Sequence, residues 1–318
     1  MEFIFQYLQR GEAMRKYLIR RVLQIIPVLF IVSLFVFVLV HVAGDPVALM
    51  LPEDSTPEEK EVLREALGLN EPFLVQYAHF VGDLLQGDFG RSFRYGQEAL
   101  PIVLERIPAT LQLAFTSMVV STLIAIPMGI WSATKRNTFI DLFASGGAVL
   151  GKAMPNFWLG IILILVFAVN MKLFPVSGTG GFMHIVLPAI TLGTSVAAEM
   201  TRLIRSSMLE VLNQDYIRTA KSKGIANFLI VYKHAFRNTL IPVITIAALQ
   251  LSTLVSGALI TESIFAWPGL GLLLVQAVNG KDMAIVQASV FVIAILVIVI
   301  NLITDVIYMF LDPKIVYK

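Results

Sequence analysis

The segment GGAVLGKA, which begins at Gly146, comes close to the phosphate-binding loop of nucleotide hydrolases. Gly146 and Gly151 have the required spacing and Lys152 follows, but Ala153 stands where that loop has a Ser or Thr for magnesium. No strand pattern precedes the segment, which lies in an apolar stretch. Close helix packing through Gly147 and Gly151, a small-xxx-small pair, is the better interpretation, so we expect no nucleotide site in this chain.

Lys152 and Glu199 are ionisable residues inside long apolar stretches. A charge in the hydrocarbon of a bilayer is costly and often marks a functional site. The favoured interpretation is that these side chains reach an interface or bond within a helix bundle; the alternative prediction is that they line a pathway or pair with each other. Asn156 begins the run Asn-Phe-Trp, a candidate ligand contact, although such aromatic residues more often mark a membrane interface or pack a helix.

Glu262 and Asp305 are two further acids in apolar surroundings. Glu262 precedes the Trp-Pro-Gly turn at 267–269, and we expect a structural hydrogen bond or a gate there rather than contact with a substrate. Asp305 is predicted to have a structural role, facing Arg202 or Arg205.

The sequence gives little support for a metal site or for a catalytic nucleophile. The chain has no cysteine, which excludes thiolate zinc sites, iron–sulfur clusters and a cysteine nucleophile. Its four histidines lack ligand spacing, and no Ser/His/Asp constellation supports a membrane-embedded hydrolase. We therefore expect a non-catalytic chain with no cofactor of its own.

The composition shows what kind of elements must position these residues. Of 318 residues, 57% are hydrophobic and 14% are charged, whereas soluble domains have about 45–50% and about 25%. So much apolar surface requires the bilayer as solvent, and the sequence predicts an all-α integral membrane protein. A net charge of +2 gives no case for nucleic-acid binding.

Hydropathy predicts six transmembrane helices, because a spanning helix needs about 20 mostly apolar residues. The predicted spans are 18–42, 108–131, 139–169, 185–203, 241–260 and 288–310. The first is too long for a cleavable signal peptide, so it is an uncleaved anchor behind the segment 1–17, within which Met14 is an alternative start. The third is long and interrupted near Pro155, which indicates a tilted or proline-broken helix.

Basic residues predict the orientation. With the N-terminus inside, sixteen Lys and Arg residues lie on the inner side and seven on the outer side. The excess places both termini, including the tail 311–318, and the loop 206–240 in the cytoplasm. The region 43–107 is then extracytoplasmic, and the core runs over 108–310.

The external region 43–107 carries twelve acidic residues and a helical pattern in TPEEKEVLREALG. Thr56 is suited to cap that helix, with Pro57 as its first residue and Glu58 and Glu59 in the first turn. The acids are expected to form a solvated face; the alternative is a surface that meets a partner.

The inner loop 206–240 is too polar to enter the membrane. Residues 208–223 are predicted to form a helix that Gly224 ends, and a second amphipathic stretch covers 227–238. Two short helices joined by a glycine form a knob that either docks on a cytoplasmic partner or lies on lipid headgroups.

Several motifs together resemble the permeases of ABC importers. DYIRTAKSKGIANFLIVYKHAFRNTLIPV is similar to the loop with which that family enters its ATPase, where the pattern is Glu-Ala-Ala, three residues and Gly. Here Arg218 and Thr219 replace the first two residues, as in the peptide-importer branch, and Ala220 and Gly224 match. Further motifs of that branch are GDP at Gly44–Pro46, LPAITLG, SSMLEVL and ESIFAWPGLG. The resemblance runs from about Met14 to Tyr317 and points to the B-type subgroup of the dipeptide, oligopeptide and nickel permeases.

The resemblance implies a type I importer permease fold with a small helical extracytoplasmic insertion. It also implies a second permease subunit, an extracytoplasmic solute-binding protein and two cytoplasmic ATPase subunits, which bind ATP and Mg. The residues it implies for coupling to the ATPase are Arg218, Thr219, Ala220 and Gly224. On the same loop we expect further coupling residues, which are Asp215, Lys221, His234 and Arg237. The residues we expect along a pathway or gate are Lys152, Asn156, Glu199 and Glu262.

The substrate that the resemblance favours is a peptide, either a di- or oligopeptide or a glutathione-like compound. The same machine importing a nickel chelate or an oligosaccharide is the alternative. A stand-alone secondary transporter or channel is the alternative from another class, but the spans lack the acid cluster and the clear internal repeat expected of one.

Overall fold

The computed structural model describes residues 2–43, 55–66 and 68–311, which are helical apart from loops and one isolated bridge between Arg91 and Glu98. The motif Gly44–Pro46 and the predicted tail beyond Leu311 lie outside these residues. The N-terminal half has α1 (Glu2–Ala43), α2 (Pro57–Ala66), α3 (Phe73–Gln86), α4 (Ala99–Leu104), α5 (Ile107–Thr134), α6 (Phe139–Ala153) and α7 (Asn156–Leu163), which continues as a π-helix, Ile164–Asn170. The C-terminal half has α8 (Phe182–Leu212), α9 (Asp215–Ser222), α10 (Asn227–Leu229) with the π-helix Ile230–Phe236, α11 (Arg237–Ile264), α12 (Leu270–Asn279) and α13 (Met283–Leu311).

Five stretches of the described helices are long and apolar enough to cross a bilayer. They are Ile19–Leu39, Ala99–Thr134, Phe182–Leu212, Asn227–Ile264 and Met283–Ile307. A sixth crossing results when α6 and α7 count as one span, whose axis bends by 107° at the break. The predicted all-α fold is confirmed, with five spans or with six when the bent pair counts as one, and the third predicted span is divided into two helices.

Pro155 explains the break in the third span. A proline has no N–H to donate and pushes the residue before it out of the helical conformation. Met154 is accordingly extended, with φ −75° and ψ 128°, and Pro155 follows with φ −61° and ψ 134°. The apolar stretch continues through this point, so only the proline marks where the helix ends.

The described residues up to Pro108, together with Gly269–Val299, form one compact unit. Its core joins α4, α12 and the first half of α13 through buried apolar side chains, among them Val103, Leu270 and Ile285. Ser92 donates a hydrogen bond to the buried carboxylate of Asp282 at the start of α13. This contact ties the loop before α4 to α13.

Residues from Ala109 to Pro268 form a second unit with the described residues from Ile300 onwards. Within it α5 and α8 approach closely where one of them has a glycine. A Cβ atom on Gly129 would lie 2.6 Å from Cγ2 of Ile204, and one on Gly193 would lie 2.8 Å from the carbonyl oxygen of Ser117. The unit therefore has α8 as a central helix, against which α5, α6 and α11 pack.

The predicted helix cap at Thr56 is confirmed. The Glu59 N–H donates to Oγ1 of Thr56 at 3.2 Å, and the Thr56 N–H donates to Oε2 of Glu59 at 2.9 Å. This reciprocal pair is a capping box, which satisfies two backbone donors at the start of α2.

Candidate functional site

The loop 206–240 starts as an extension of a spanning helix. The predicted single helix over 208–223 is wrong, because α8 continues to Leu212 and α9 begins only at Asp215. Between them the backbone of Asn213 has φ −90° and ψ −2°, and Gln214 is extended with φ −73° and ψ 150°. Asn forms local side-chain hydrogen bonds that compete with a helix, which suits it to such a turn. The result is a short separate helix, α9, directly after the long α8.

Gly224 ends α9 in the left-handed conformation, with φ +72°. Its N–H donates to the carbonyl of Lys221 at 3.0 Å, and the Ile225 N–H donates to the carbonyl of Ala220 at 3.3 Å. These two bonds make up a Schellman motif, which favours glycine at this position. The predicted helix end at Gly224 is confirmed.

One face of α9 packs on the chain itself, and the other is exposed. Ile217 is fully buried and Ala220 is only 8% exposed. Ala220 therefore contributes to the packing of α9 on the chain itself. The exposed candidates on α9 are Asp215, Arg218, Thr219 and Lys221.

The charged side chains on the exposed face of α9 interact only weakly with each other. Arg218 Nη1 lies 3.5 Å from Oδ1 of Asp215, and both side chains are more than three-quarters exposed. Such surface pairs contribute little to stability, so both charges remain available to a partner. Thr219 Oγ1 donates to the carbonyl of Asp215 at 3.0 Å.

The stretch 227–238 is not a separate amphipathic helix, since α10, the π-helix and α11 follow one another without a gap. His234 is half-buried in the π-helix and Arg237 is exposed at the start of α11. The Asn238 amide donates to Oη of Tyr216 at 2.6 Å and to the carbonyl of His234 at 3.0 Å. These bonds fasten α9 to the base of the fifth span, so the loop is a structured element.

The structured loop has an exposed patch that consists of Phe228, Leu229 and Tyr232, which we call the aromatic patch. These residues were not among those predicted. Phe228 is 67% exposed, Leu229 44% and Tyr232 40%. The rings of Phe228 and Tyr232 lie 4.6 Å apart between centroids. The sequence feature that could have indicated this patch is the pair of aromatic residues four positions apart in a polar loop. Aromatic side chains of this kind are common anchors of protein interfaces.

Lys152, Glu199 and Gln250 meet from three different helices of the second unit. The Lys152 ammonium forms an ion pair with Oε1 of Glu199, and the Gln250 amide donates to Oε2 of the same carboxylate. The Lys152 side chain is 49% exposed and that of Glu199 27%. The predicted pairing is confirmed, and Gln250 is a third member that the sequence did not indicate.

The segment that resembles a phosphate-binding loop is part of α6 and is helical throughout. A Cβ atom on Gly151 would lie 3.2 Å from Cγ2 of Thr194, so this glycine does allow α6 and α8 to pack closely. Around Gly147 no atom lies within 4 Å of such a Cβ. The predicted close packing is thus confirmed at Gly151 and wrong at Gly147.

Asn156 and Glu262 take up positions away from this cluster. Asn156 is the first residue of α7, half-buried beyond the break. Glu262 is fully buried, and its carbonyl accepts the Trp267 N–H at 2.9 Å. The indole N–H of Trp267 donates to the carbonyl of Ala109 at 2.8 Å. Glu262 therefore belongs to an anchored turn and is shielded from solvent in this conformation.

Asp141 and Arg205 form an ion pair that sequence reasoning missed. Asp141 is 6% exposed and also accepts hydrogen bonds from Ser132 Oγ at 2.6 Å and from the Asn137 N–H at 3.0 Å. Arg205 was a predicted partner for Asp305, yet its guanidinium lies on Asp141. The pair fastens the start of α6 to α8 directly before the loop 206–240, about two turns before α8 ends at Leu212.

Two family models cover most of the chain. Residues 125–317 match the model described as "Binding-protein-dependent transport system inner membrane component". Residues 14–114 match the model for the N-terminal part of the membrane component of the same systems.

Similar proteins with curated names match over nearly the whole length. The chain is 40% identical, over 316 residues, to the oligopeptide transport system permease protein AppB of Bacillus subtilis (strain 168). It is 40% identical, over 306 residues, to the glutathione transport system permease protein GsiC of Escherichia coli (strain K12). Each alignment covers 96% of this chain and 100% of the relative.

A solved structure agrees in fold. A chain of the methionine ABC transporter MetNI, in inward-facing conformations, superposes with a TM-score of 0.57 at 20% identity. The match covers 66% of this chain and 96% of that one. At this identity the likeness concerns the fold alone, and it agrees with the importer permease fold expected from the motifs.

Proposed function

Because the chain belongs to the family of inner membrane components of binding-protein-dependent transport systems, we propose that it is the permease subunit of a peptide importer. The observation that carries this is the 40% identity to both an oligopeptide and a glutathione permease, with full coverage of each. Glutathione is itself a short peptide, so the two relatives share a substrate class. The chain would form half of the translocation route.

We propose four kinds of partner for the complete machine. A second, similar permease subunit would supply the other half of the route, and a solute-binding protein would deliver the peptide. Two ATPase subunits would bind ATP and Mg and hydrolyse the nucleotide, so this chain itself would catalyse nothing. Membership of this family supports an ATPase and a solute-binding protein as partners. The number of copies of each subunit is part of our proposal.

The loop 206–240 is proposed to dock on an ATPase subunit. A rigid connection is required, because closure of the ATPases has to move helices in the membrane. Supporting features are the separate helix α9, its tight end at Gly224 and the hydrogen bonds of Asn238. Arg218 and Lys221 would pair with acids of the ATPase, and the aromatic patch would add apolar contact.

The ion cluster of Lys152, Glu199 and Gln250 is proposed to line the route. Exposed charges at the depth of a membrane span are unfavourable against lipid, so they face either water or another subunit. The exposure of Lys152, at 49% of its side chain, favours this location. Asn156 and Glu262 are proposed as contributors to the route or its gate in another conformation.

The orientation completes the proposal. We place both termini and the loop 206–240 in the cytoplasm and the region 43–107 outside, in a bacterial or archaeal inner membrane. The distribution of Lys and Arg supports this, and it leaves the outer region, with the loops at 170–184 and 263–287, facing the binding protein.

Reconstitution tests the proposed function. The chain would be co-expressed with the permease, ATPase and binding-protein genes adjacent to its own, and the complex reconstituted in liposomes. We expect ATP-dependent uptake of a labelled peptide or of glutathione that requires the binding protein. Uptake of a nickel chelate with no response to peptides would overturn the substrate class, and uptake by this chain alone would overturn the assignment as an importer subunit.

A further inference from the structure

The helix α3 packs against α1 at positions that lie well inside the first span. Oη of Tyr77 and Oγ of Ser33 are 2.8 Å apart, in a hydrogen bond between the two helices. The ring of Tyr77 lies 6.1 Å from that of Phe30, and Phe37 contacts the ring of Phe73 at 5.1 Å. Ser33 is only 4% exposed.

The position of Ser33 gives the depth of this contact. The first span, Ile19–Leu39, has 21 residues. At about 1.5 Å per residue it is roughly as long as the hydrocarbon is thick, about 30 Å, so little of it can stand outside the membrane. Ser33 lies six residues before Leu39, and the apolar stretch and α1 continue beyond Leu39, so Ser33 lies at least about 9 Å inside the carboxyl end of this stretch. Tyr77 must reach the same depth.

One stripe of α3 is apolar and exposed. Leu74 is 77% exposed and Leu85 is 83% exposed. Ala78 and Val81 lie between them at helical spacing, so the four residues share one face. In water such a stripe would be an unfavourable surface, whereas lipid acyl chains would cover it without cost.

The polar residues of α3 lie on another face. His79, Asp83 and Gln86 are all exposed and follow one another at spacings of four and three. Nε2 of His79 lies 3.4 Å from Oε2 of Glu71, in the loop before the helix. An apolar stripe and a separate polar stripe make α3 amphipathic, which allows a helix to lie in the plane of a membrane surface.

The exposed apolar surface is continuous between the two helices. Phe30 of α1 is 56% exposed although it touches Tyr77, and Phe73 of α3 is 48% exposed although it touches Phe37. The window of the first span is only 17% buried, as expected of a helix surrounded by lipid. The same lipid therefore borders α3.

We propose that α3 is an in-plane membrane helix, with the stripe Leu74, Ala78, Val81 and Leu85 among the acyl chains of the leaflet at the carboxyl end of α1. The region 43–107 is then not wholly aqueous, because one of its helices is part of the membrane-embedded body. The proposal depends on the depth of the first span and not on the substrate or the partners.

Single cysteines test this directly, since the chain has none of its own. Leu74→Cys and Leu85→Cys place a thiol on the apolar stripe, and Asp83→Cys places one on the polar face. Val62→Cys is the matched control, because Val62 is also an apolar residue, 68% exposed, but on α2. The full chain in lipid nanodiscs, open on both faces, would be treated with a membrane-impermeant maleimide and, separately, with a nitroxide spin label.

We expect Asp83→Cys and Val62→Cys to react fast, and the two leucine variants to react at least about tenfold more slowly. Spin labels on the stripe should collide readily with oxygen and poorly with a water-soluble nickel chelate, the signature of lipid. Fast maleimide reaction at Leu85→Cys would overturn the proposal in favour of a water-exposed face. Low collision with both agents would overturn it in favour of a protein contact, such as a second copy of the chain.

Discussion

Arg205 holds Asp141 through two parallel hydrogen bonds, Nε to Oδ1 at 2.8 Å and Nη2 to Oδ2 at 2.9 Å. The two residues are 64 positions apart and lie on different helices. A bidentate pair of this kind fixes both distance and orientation. Because α8 leads directly to α9, the contact connects α6 to the element that we propose meets the ATPase.

Asp141→Asn should destabilise the protein, because it leaves a largely buried guanidinium without its anion. The cost of breaking such a buried pair is about 3 kcal/mol. Arg205→Lys keeps the charge but loses the fork geometry, so its effect should be smaller. The midpoint of thermal unfolding in nanodiscs measures both. Arg202→Gln, on the exposed side of the same helix, is the control. An equal fall of the unfolding midpoint in this control would show that the ion pair is not the cause of the destabilisation.

Gly224→Val should impair coupling through backbone strain alone. The residue has φ +72°, and no atom lies within 4 Å of where a Cβ would be, so the strain of roughly 1–2 kcal/mol arises from the left-handed conformation. Gly96→Val is a matched control, with φ +65° and equally open surroundings. We expect lower ATPase pull-down for Gly224→Val but not for Gly96→Val, and lower uptake for Gly224→Val; the two variants are compared by pull-down, because Gly96 lies in the region proposed to face the binding protein. Equal losses in both variants would point to general misfolding.

Phe228→Ser should weaken ATPase binding by about tenfold or more while leaving unfolding unchanged, since an exposed aromatic anchor contributes over about 1 kcal/mol at an interface. The measurement is the affinity of the purified ATPase for the permease complex in nanodiscs. Phe93→Ser removes a ring that is also about half exposed, outside the loop, and should have no effect. Wild-type affinity in Phe228→Ser would remove the aromatic patch from the proposed interface.

Lys152→Met should reduce uptake by about tenfold or more with the complex still assembled, because the carboxylate of Glu199 then loses its cation and keeps the hydrogen bond from Gln250. The double variant Lys152→Glu with Glu199→Lys keeps an ion pair but exchanges the positions of the charges. It should assemble normally and still transport poorly if the cluster lines the route. Full recovery of uptake in the double variant would make the pair purely structural. Lys135→Met, which replaces an exposed lysine in the turn between α5 and α6, serves as the control.

Cysteine labelling in intact cells should show the proposed orientation. Thr56→Cys and Ser222→Cys are both on exposed positions, and the chain has no other thiol. An impermeant reagent should label Thr56→Cys from outside and Ser222→Cys only in inverted vesicles. Labelling of Ser222→Cys in intact cells is incompatible with the orientation.

Local signals in the sequence were sufficient for several details of the fold. Thr56 and Glu59 predict a cap because both act within one turn of the chain, and the structure has that capping box. Gly224 predicts a helix end for the same reason, since the preference for positive φ belongs to the residue itself. Pro155 predicts an interruption, although the bend of 107° depends on packing and could not be read from one residue.

Other features depend on contacts between distant segments, which a single sequence does not record. Asp141 and Arg205 carry no shared pattern, and many arginines were available to each acid. Ala220 was predicted from its match to a motif, but its burial depends on how α9 folds back on its own chain. The turn at Asn213 and Gln214 contains neither Gly nor Pro, so the helix pattern ran through it.

The break between Ala153 and Asn156 also has a consequence for the surroundings of Lys152. It creates two helix ends at mid-depth of the third span, and helix ends have backbone groups without partners in their own helix. Hydrocarbon cannot hydrate such groups, so irregular backbone at this depth must border water or protein. Water at the break would raise the local dielectric constant around the ammonium, which is next to the last residue of α6. The proline that interrupts the helix thereby lowers the cost of keeping a positive charge inside the membrane.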